Sequence, residues 1–293
     1  MATIVCYGEV LWDVFPTYKT IGGAPLNVAL RLHSFKNNLT IISSVGNDED
    51  GKKLLQYIEK QGVKQSYIQV NETYKTGTVL VSLDETKSAN YQIVFPCAWD
   101  FILPQETIFT IVKNADAFIF GSLVARNKVS FSTLIQLLNV ATFKVFDVNL
   151  RAPHYTKDTL FLLLQKADFI KFNDAELFEI CTYYNFKSLI LEDNIRFISN
   201  KTKTKNICVT LGGDGAIFFT ENKFFKNTGY SVIVKDTVGA GDSFLAALID
   251  KLLKNENPKV ALDIACAVGA IVASKEGANA IITESSIAAL LNT

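Results

Sequence analysis

The sequence predicts an α/β fold: a doubly wound, mostly parallel sheet with helices on both faces, and a small β-sheet beside it. Three observations carry this. Strand-like apolar runs alternate with helical periodicity through most of the chain. The runs are rich in Val, Ile and Phe and almost continuously apolar, as strands covered on both faces should be. One stretch, residues 67–95, breaks the rhythm with strands in succession and no helix between them.

The chain opens on a strand, TIVCYG, followed by a helix at APLNVALRLHSF. Strand LTIISSV and helix EDGKKLLQYIEKQ come next. YIQVN, GTVLVSLD and NYQIVF then alternate apolar and polar residues, which predicts a one-sided antiparallel sheet. Such an appendage suits either a lid over a site or a plain insertion. The rhythm resumes with strand AFIFGS, helix VSFSTLIQLLNV, strand KVFDVNL and helix DTLFLLLQKA. FIKFN, DAELFEICTYY, ICVTLG and SVIVKD continue as strand, helix, strand and strand. After Gly239 every segment reads as helix: GDSFLAALIDKLLK, PKVALDIACAVGAIVASK and ESSIAALL. Pro258 opens the second of these, where a missing N–H costs nothing.

Composition removes several classes of function. The chain has 293 residues and a formal net charge of zero, so no basic field draws it to nucleic acid or anionic lipid. The basic stretch at 200–206 is short and reads as a solvated loop. The longest apolar run, Ile264 to Ala273, is too short to span a bilayer. No charged segment followed by an apolar stretch opens the sequence, so a cytoplasmic protein is expected. Five scattered cysteines without a CxxC pair fit reduced thiols, and the sequons at Asn38 and Asn71 then carry no meaning. Two histidines supply neither a histidine-rich metal site nor a histidine triad; His33 reads as a helix residue.

The chemistry concentrates in KDTVGAGDSFLAAL, Lys235 to Leu248. Gly239 and Gly241 can take backbone angles closed to other residues. A turn built from them aims successive N–H groups at one point and feeds a helix N-terminus, where donors lack partners and the dipole is positive. With Ala240 between them they make an anion hole suited to a phosphate. A carboxylate at Asp242 would repel that phosphate, so it should face the atom attacking it and accept a hydroxyl proton. For an isolated GAGD, a plain acidic helix start explains Asp242 equally well.

Two competing phosphate motifs fail. Gly239-x-Gly241 begins a dinucleotide fingerprint, but Phe244 stands where the third glycine belongs and only helices follow. GNDEDGKK, Gly46 to Lys53, has P-loop spacing, but Lys53 replaces the Ser/Thr that binds magnesium. Asp48, Glu49 and Asp50 would also fill the loop with negative charge.

With these residues in place, the chain resembles the PfkB family of ribokinase-like sugar kinases, nearly end to end. DTVGAGDSFLAA, Asp236 to Ala247, is similar to the family's C-terminal pattern, and GGAPLNVALRL through SSVGNDEDG, Gly22 to Gly51, to its N-terminal one. GEVLWD, GGAPLNVA, AWDF and DVNLR look most like bacterial fructokinases. The resemblance implies one ribokinase-like domain over 1–293, with a β lid from about 13–23 and 66–103. It implies ATP-dependent phosphorylation of a sugar hydroxymethyl group, D-fructose first, with Asp242 as base and Gly239, Ala240 and Gly241 as anion hole. Ketodeoxygluconate, ribose or a nucleoside are alternative acceptors within the same chemistry.

Asp13, Gly22, Gly23 and Asn27 match the positions that bind sugar hydroxyls, and their short polar groups and bare backbone suit that task. Arg151 follows the end of a strand, where a guanidinium can hold phosphate or sugar oxygens. Asn173 and Glu176, in NDAE, match a family motif that orients water on Mg2+; alone they are a capping box. TLGGDG, with Thr210, Gly212 and Gly215, resembles the loop under ATP; alone it is a hairpin turn. Cys266 stands where ribokinases place an adenine-contacting asparagine, which leaves adenine to shape and apolar contact. Asp236, Val238, Val272, Lys275 and Gly277 match carbonyl positions that bind K+ in some relatives. An exposed face of the lid is the candidate surface for a homodimer. Trp99 and Asp100 have no chemical role readable from sequence. The rival outside catalysis is a sugar-binding regulator, which needs neither the intact glycines nor Asp242.

Overall fold

The computed structural model describes residues 1–83 and 89–292. The chain runs through β1 (Thr3–Tyr7), β2 (Leu11–Val14), β3 (Lys19–Gly22), α1 (Ala24–Ser34), β4 (Asn38–Gly46) and α2 (Glu49–Lys60). It continues with β5 (Ile68–Asn71), β6 (Gly77–Leu83), β7 (Ala89–Ile93), α3 (Glu106–Lys113), β8 (Ala117–Gly121) and α4 (Lys128–Leu138). Then come β9 (Lys144–Asp147), α5 (Lys157–Lys166), β10 (Phe169–Asn173), α6 (Asp174–Tyr183), α7 (Leu191–Thr202) and β11 (Asn206–Thr210). A hairpin of β12 (Ala216–Thr220) and β13 (Lys223–Asn227) precedes α8 (Ala240–Leu253), α9 (Pro258–Ala273) and α10 (Glu284–Leu291).

Among the described residues nine strands form the main sheet, in the order β13-β12-β11-β10-β9-β8-β1-β4-β5. All pairs from β11 to β5 are parallel, and the two pairs joining β11, β12 and β13 are antiparallel. The two-residue alternation along β1 shows why both faces must be covered. Val5 and Tyr7 enter a core layer with Phe118, Phe120, Phe146, Leu137, Leu163 and Ile198. Ile4 and Cys6 enter the opposite layer with Val28, Phe218, Leu245 and Val268. Four of the five β1 side chains, Ile4 to Tyr7, are fully buried, so the strand reads as an unbroken apolar run. This is the doubly wound fold expected from the sequence.

The separate small sheet has four strands in the order β3-β2-β6-β7. The sequence expectation for it needs one correction. YIQVN was expected in the small sheet, but β5 pairs parallel with β4, Ser43 opposite Ile68 through Gly46 opposite Asn71. The reason is connectivity: α2 returns the chain along the main sheet, so the next strand lands on its edge. Edge placement also explains the alternation, with Ile68 buried and Val70 exposed.

SVIVKD is a second correction, because no strand forms there. Ile233 and Val234 face solvent. The N–H groups of Lys235 and Asp236 bind the Ala273 carbonyl at the end of α9 instead, at 2.8 and 3.2 Å. The all-helical tail after Gly239 is as expected. No helix among the described residues is long and apolar enough to cross a membrane.

Candidate active site

The candidate residues gather where the parallel strands end. Glu9 follows β1, Arg151 follows β9, Asn173 closes β10 and Thr210 closes β11. The N-termini of α1 and α8 complete this rim, on the side of the sheet where ligands bind in open α/β folds.

Gly239 caps α8 in the left-handed region at φ 72°. A side chain there would run into Ala278, so both the angle and the packing require glycine. Ala240 donates to the Thr237 carbonyl at 3.2 Å, and Ser243 closes the first helical bond to Gly239 at 2.9 Å. The N–H groups of Gly241 and Asp242 stand ahead of that closed turn, as helix geometry demands. Asp236 stiffens the approach: its carboxylate accepts from Val238 at 2.9 Å and from Gly277 at 3.1 Å.

Asp242 lies in the first turn of α8 and accepts from the Asn27 amide at 2.8 Å. Asn27 is held in turn by α1, whose first bond runs from Asn27 N–H to the Gly23 carbonyl at 2.9 Å. Burial pushes the Asp242 carboxyl up to about 6; Asp147 acts the same way, while Asn27, Lys171 and Arg151 pull back. A base poised there is charged at neutral pH yet accepts a proton readily.

Asp13 sits in β2 beside Gly22, with no room for a side chain at that glycine. Burial raises the Asp13 carboxyl to about 6, with Arg151 opposing. At Gly23 (φ 110°) a Cβ would lie 2.5 Å from the Glu9 carbonyl oxygen. The glycine pair therefore lets the backbone turn between the two sheets while touching β1's end. Arg151 is exposed, donates locally to the Leu150 carbonyl at 2.9 Å, and its charge acts on Glu9, Asp13 and Asp242 together.

Sequence reasoning missed three groups. Glu9 is 3 % exposed, its Oε2 has no hydrogen-bond partner among the described residues, and burial lifts its carboxyl to about 7. The signal was an acidic residue directly after a buried strand. Lys171 Nζ binds Asp147 Oδ1 at 2.8 Å, and lies 3.7 Å from where a Cβ on Gly241 would stand. Burial would discharge Lys171, but Asp147, Glu176 and Asp242 outweigh it and raise the ammonium instead. A lysine inside the apolar strand FIKFN was the visible anomaly. Third, Asp100 holds Arg126 through two bonds, Nε at 2.7 Å and Nη2 at 2.8 Å, and Arg126 stacks 3.8 Å over Trp99. That ion pair gives Trp99 and Asp100 a structural role at the root of the small sheet.

Other candidates divide. Asn173 and Glu176 form the reciprocal capping box at 2.8 Å each way, and Glu176 also accepts from Leu150 N–H at 2.9 Å. Burial raises Glu176 against the opposing pull of Lys171. Among the described residues no group of three acidic, histidine or cysteine side chains could hold a metal. A metal ion bound here could draw on Glu176 as the nearby carboxylate.

Thr210 donates to the Phe172 carbonyl at 3.3 Å. Gly212, at φ 59°, has nothing among the described residues within 4 Å of an added Cβ, so the loop after β11 borders open space there. Gly215 differs: an added Cβ would strike the Asn227 carbonyl, so the β11–β12 crossing itself requires it. Cys266 is 7 % exposed within the core layer that also holds Cys208. The segments carrying Asp236, Val238, Val272, Lys275 and Gly277 are adjacent, although the Val272 carbonyl already accepts from Lys275 N–H at 2.9 Å.

Comparisons with known proteins identify the family. The family model described as pfkB family carbohydrate kinase matches residues 1–285. The probable fructokinase-3 of Arabidopsis thaliana is 27 % identical, over 94 % of this chain and 87 % of that protein. The structure of a fructokinase with bound ATP from Xylella fastidiosa superposes with a TM-score of 0.87 at 22 % identity, covering 99 % of this chain and 98 % of the other. A fructokinase from Vibrio cholerae O395, in fructose, ADP and calcium ion bound form, gives 0.84 at 25 % identity over 99 % of both chains.

Proposed function

This chain belongs to the pfkB family of carbohydrate kinases, and from that premise we propose that it phosphorylates D-fructose with ATP, using Asp242 as the base. The observation that carries the proposal is the Asn27–Asp242 bond at 2.8 Å. It joins the residue that opens the sugar side to the carboxylate at the mouth of the anion hole.

In this reading the sugar lies between the small sheet and the strand ends, against Asp13, Gly22, Gly23, Asn27 and Arg151. Asp242 takes the proton of the terminal hydroxymethyl group as its oxygen attacks the γ-phosphorus. The N–H groups of Gly241 and Asp242, presented by the Gly239-Ala240-Gly241 turn, receive the growing negative charge, and ADP leaves. Lys171 lies close behind Gly241 and adds a fixed positive charge. ATP lies over Thr210 and Gly212, where the loop is open, with its adenine towards Cys266. Mg2+, when bound with the nucleotide, would shield its phosphate charge, and Glu176 would be the carboxylate that holds it through water. The carbonyls near Asp236 and Gly277 are the candidate seat for K+. The small sheet acts as the lid that excludes water during transfer.

Fructose is favoured because relatives and structural neighbours named fructokinase span nearly the whole chain. The five cysteines, all free and buried, support a cytoplasmic enzyme. Leu80 and Tyr91, exposed on the small sheet, are the surface for a homodimer.

The test is ADP release with Mg-ATP against fructose, ribose, ketodeoxygluconate, tagatose, glucose and adenosine, with Asp242→Asn alongside. A fructose signal lost in the variant supports both substrate and base. Turnover on another acceptor overturns the fructose assignment. Sugar binding without turnover on any acceptor points to a regulator.

A further inference from the structure

We propose that Asn279 is a positioning residue for phosphoryl transfer, orienting the Asn27 amide that in turn holds the base. The inference rests on the reading of Asp242 given above, and adds a residue that no motif pointed to.

The observation is a chain of side-chain contacts across four elements. Asn279, in the segment after α9, donates from Nδ2 to Asn27 Oδ1 at 3.3 Å. Asn27 donates from its own Nδ2 to Asp242 Oδ2 at 2.8 Å. Behind Asn279, the Tyr57 hydroxyl of α2 interacts with the Asn279 side chain. An ionised carboxylate only accepts, so it takes one end of the Asn27 amide and leaves the carbonyl end needing a donor. Asn279 supplies it. Without that donor only Asp242 fixes which way the Asn27 amide points, and its carbonyl end is left unsatisfied. In the reversed orientation its carbonyl oxygen would face Asp242 and repel it.

The surrounding segment is anchored well enough for this task. The Gly277 N–H binds Asp236, Ala278 packs where Gly239 has no side chain, and the Ala280 carbonyl accepts from Arg31 Nη2 at 2.8 Å. Arg31 continues to Ser243 Oγ at 3.0 Å, one residue beyond Asp242. Residues 277–280 thus brace the start of α8 and the middle of α1 at once, with Asn279 between the two.

The hydrogen bond from Asn27 favours the charged form of Asp242. Weakening it raises the pH below which the base is lost. Glu9, Asp147, Lys171 and Arg151 also bear on that carboxyl, and a change at Asn279 leaves all four in place.

The experiment measures kcat and kcat/KM from pH 5 to 9 with Mg-ATP and the best acceptor of the panel. The proteins are wild type, Asn279→Leu, Asn279→Asp and Asp242→Asn. Asn279→Leu, neutral and similar in size, should lose about tenfold in kcat and move its acid limb upward by about half a pH unit. Asn279→Asp, an isostere that can only accept, should turn the Asn27 amide around and move the limb further. An acid limb unchanged from wild type in either folded variant overturns the proposal, even if kcat falls. Wild-type turnover in Asp242→Asn would instead sink the reading of the base, and this inference with it.

Discussion

Lys171 and Asp147 form a buried ion pair beneath the opening of α8, with Nζ and Oδ1 2.8 Å apart and both side chains less than a tenth exposed. Sheet geometry sets the pair. β9 and β10 run parallel with Asp147 opposite Lys171, and both side chains point to the face covered by α8. The arrangement leaves a cation immediately behind Gly241, where the proposed mechanism puts the transferring phosphoryl group.

Replacing Lys171 by Met should therefore act twice. Loss of a positioned charge beside the anion hole should lower kcat by about 100- to 1,000-fold. Asp147 would be left buried and unpaired, which costs about 3–5 kcal/mol. Steady-state assays and urea titrations separate the two effects. Adding Asp147→Asn should recover much of the stability and little of the rate. If the double variant recovers the rate as well, Lys171 is structural only.

Asp242→Asn should cut turnover by about a thousandfold, in the range of general base loss, and leave sugar affinity within a few-fold. The asparagine removes the proton acceptor but keeps the shape of the first turn. Calorimetry with fructose, read beside ADP release, distinguishes loss of chemistry from loss of binding. In wild type, kcat/KM should fall as pH drops through about 6, since protonated Asp242 cannot accept the hydroxyl proton. A flat profile from pH 5 to 8 would contradict the assignment.

Much of this was legible in the chain. The continuous apolar strands announced a doubly covered sheet because Ile4, Val5, Cys6 and Tyr7 each bury fully, two on each face. Gly239 announced the sharp turn into α8 because an angle such as its φ of 72° is rarely open to other residues. The misplaced strand, β5, has the same alternating pattern whether it edges a large sheet or joins a small one. Only the return path of α2 decides. Glu9, Lys171 and Asn279 were hidden for a different reason. Each works through partners more than 20 residues away, and a single polar residue in an apolar run does not show what it will meet.

Gly239→Ala should damage both fold and rate. Alanine at φ 72° is strained by about 1–2 kcal/mol, and its methyl would meet Ala278. The helix start would shift, and with it the N–H groups of the anion hole. We expect a clear loss of melting temperature and a fall in kcat with a smaller change in the KM for sugar. A second substitution, Ala278→Gly, removes the clash but not the strain, and should return part of the stability. If it returns nothing, Ala278 is not what makes Gly239 necessary.

Glu9 supplies a prediction about stability and pH. Its carboxyl is raised from 4.5 to about 7 because burial disfavours the charged form. The folded state then binds this proton more tightly than the unfolded chain does. Its contribution to stability is therefore complete below about pH 4.5 and is lost as pH rises through about 7. Glu9→Gln keeps the shape and never charges, so it should be more stable than wild type at pH 8, by up to about 3 kcal/mol. The difference should shrink as pH falls and vanish below about pH 4.5, where Glu9 becomes protonated in both states. Denaturant titrations of both proteins at several pH values would show the two curves converging in acid. Parallel curves would mean that Arg151 and Arg126 hold Glu9 charged throughout, and that its unpartnered oxygen is an acceptor waiting for a sugar hydroxyl.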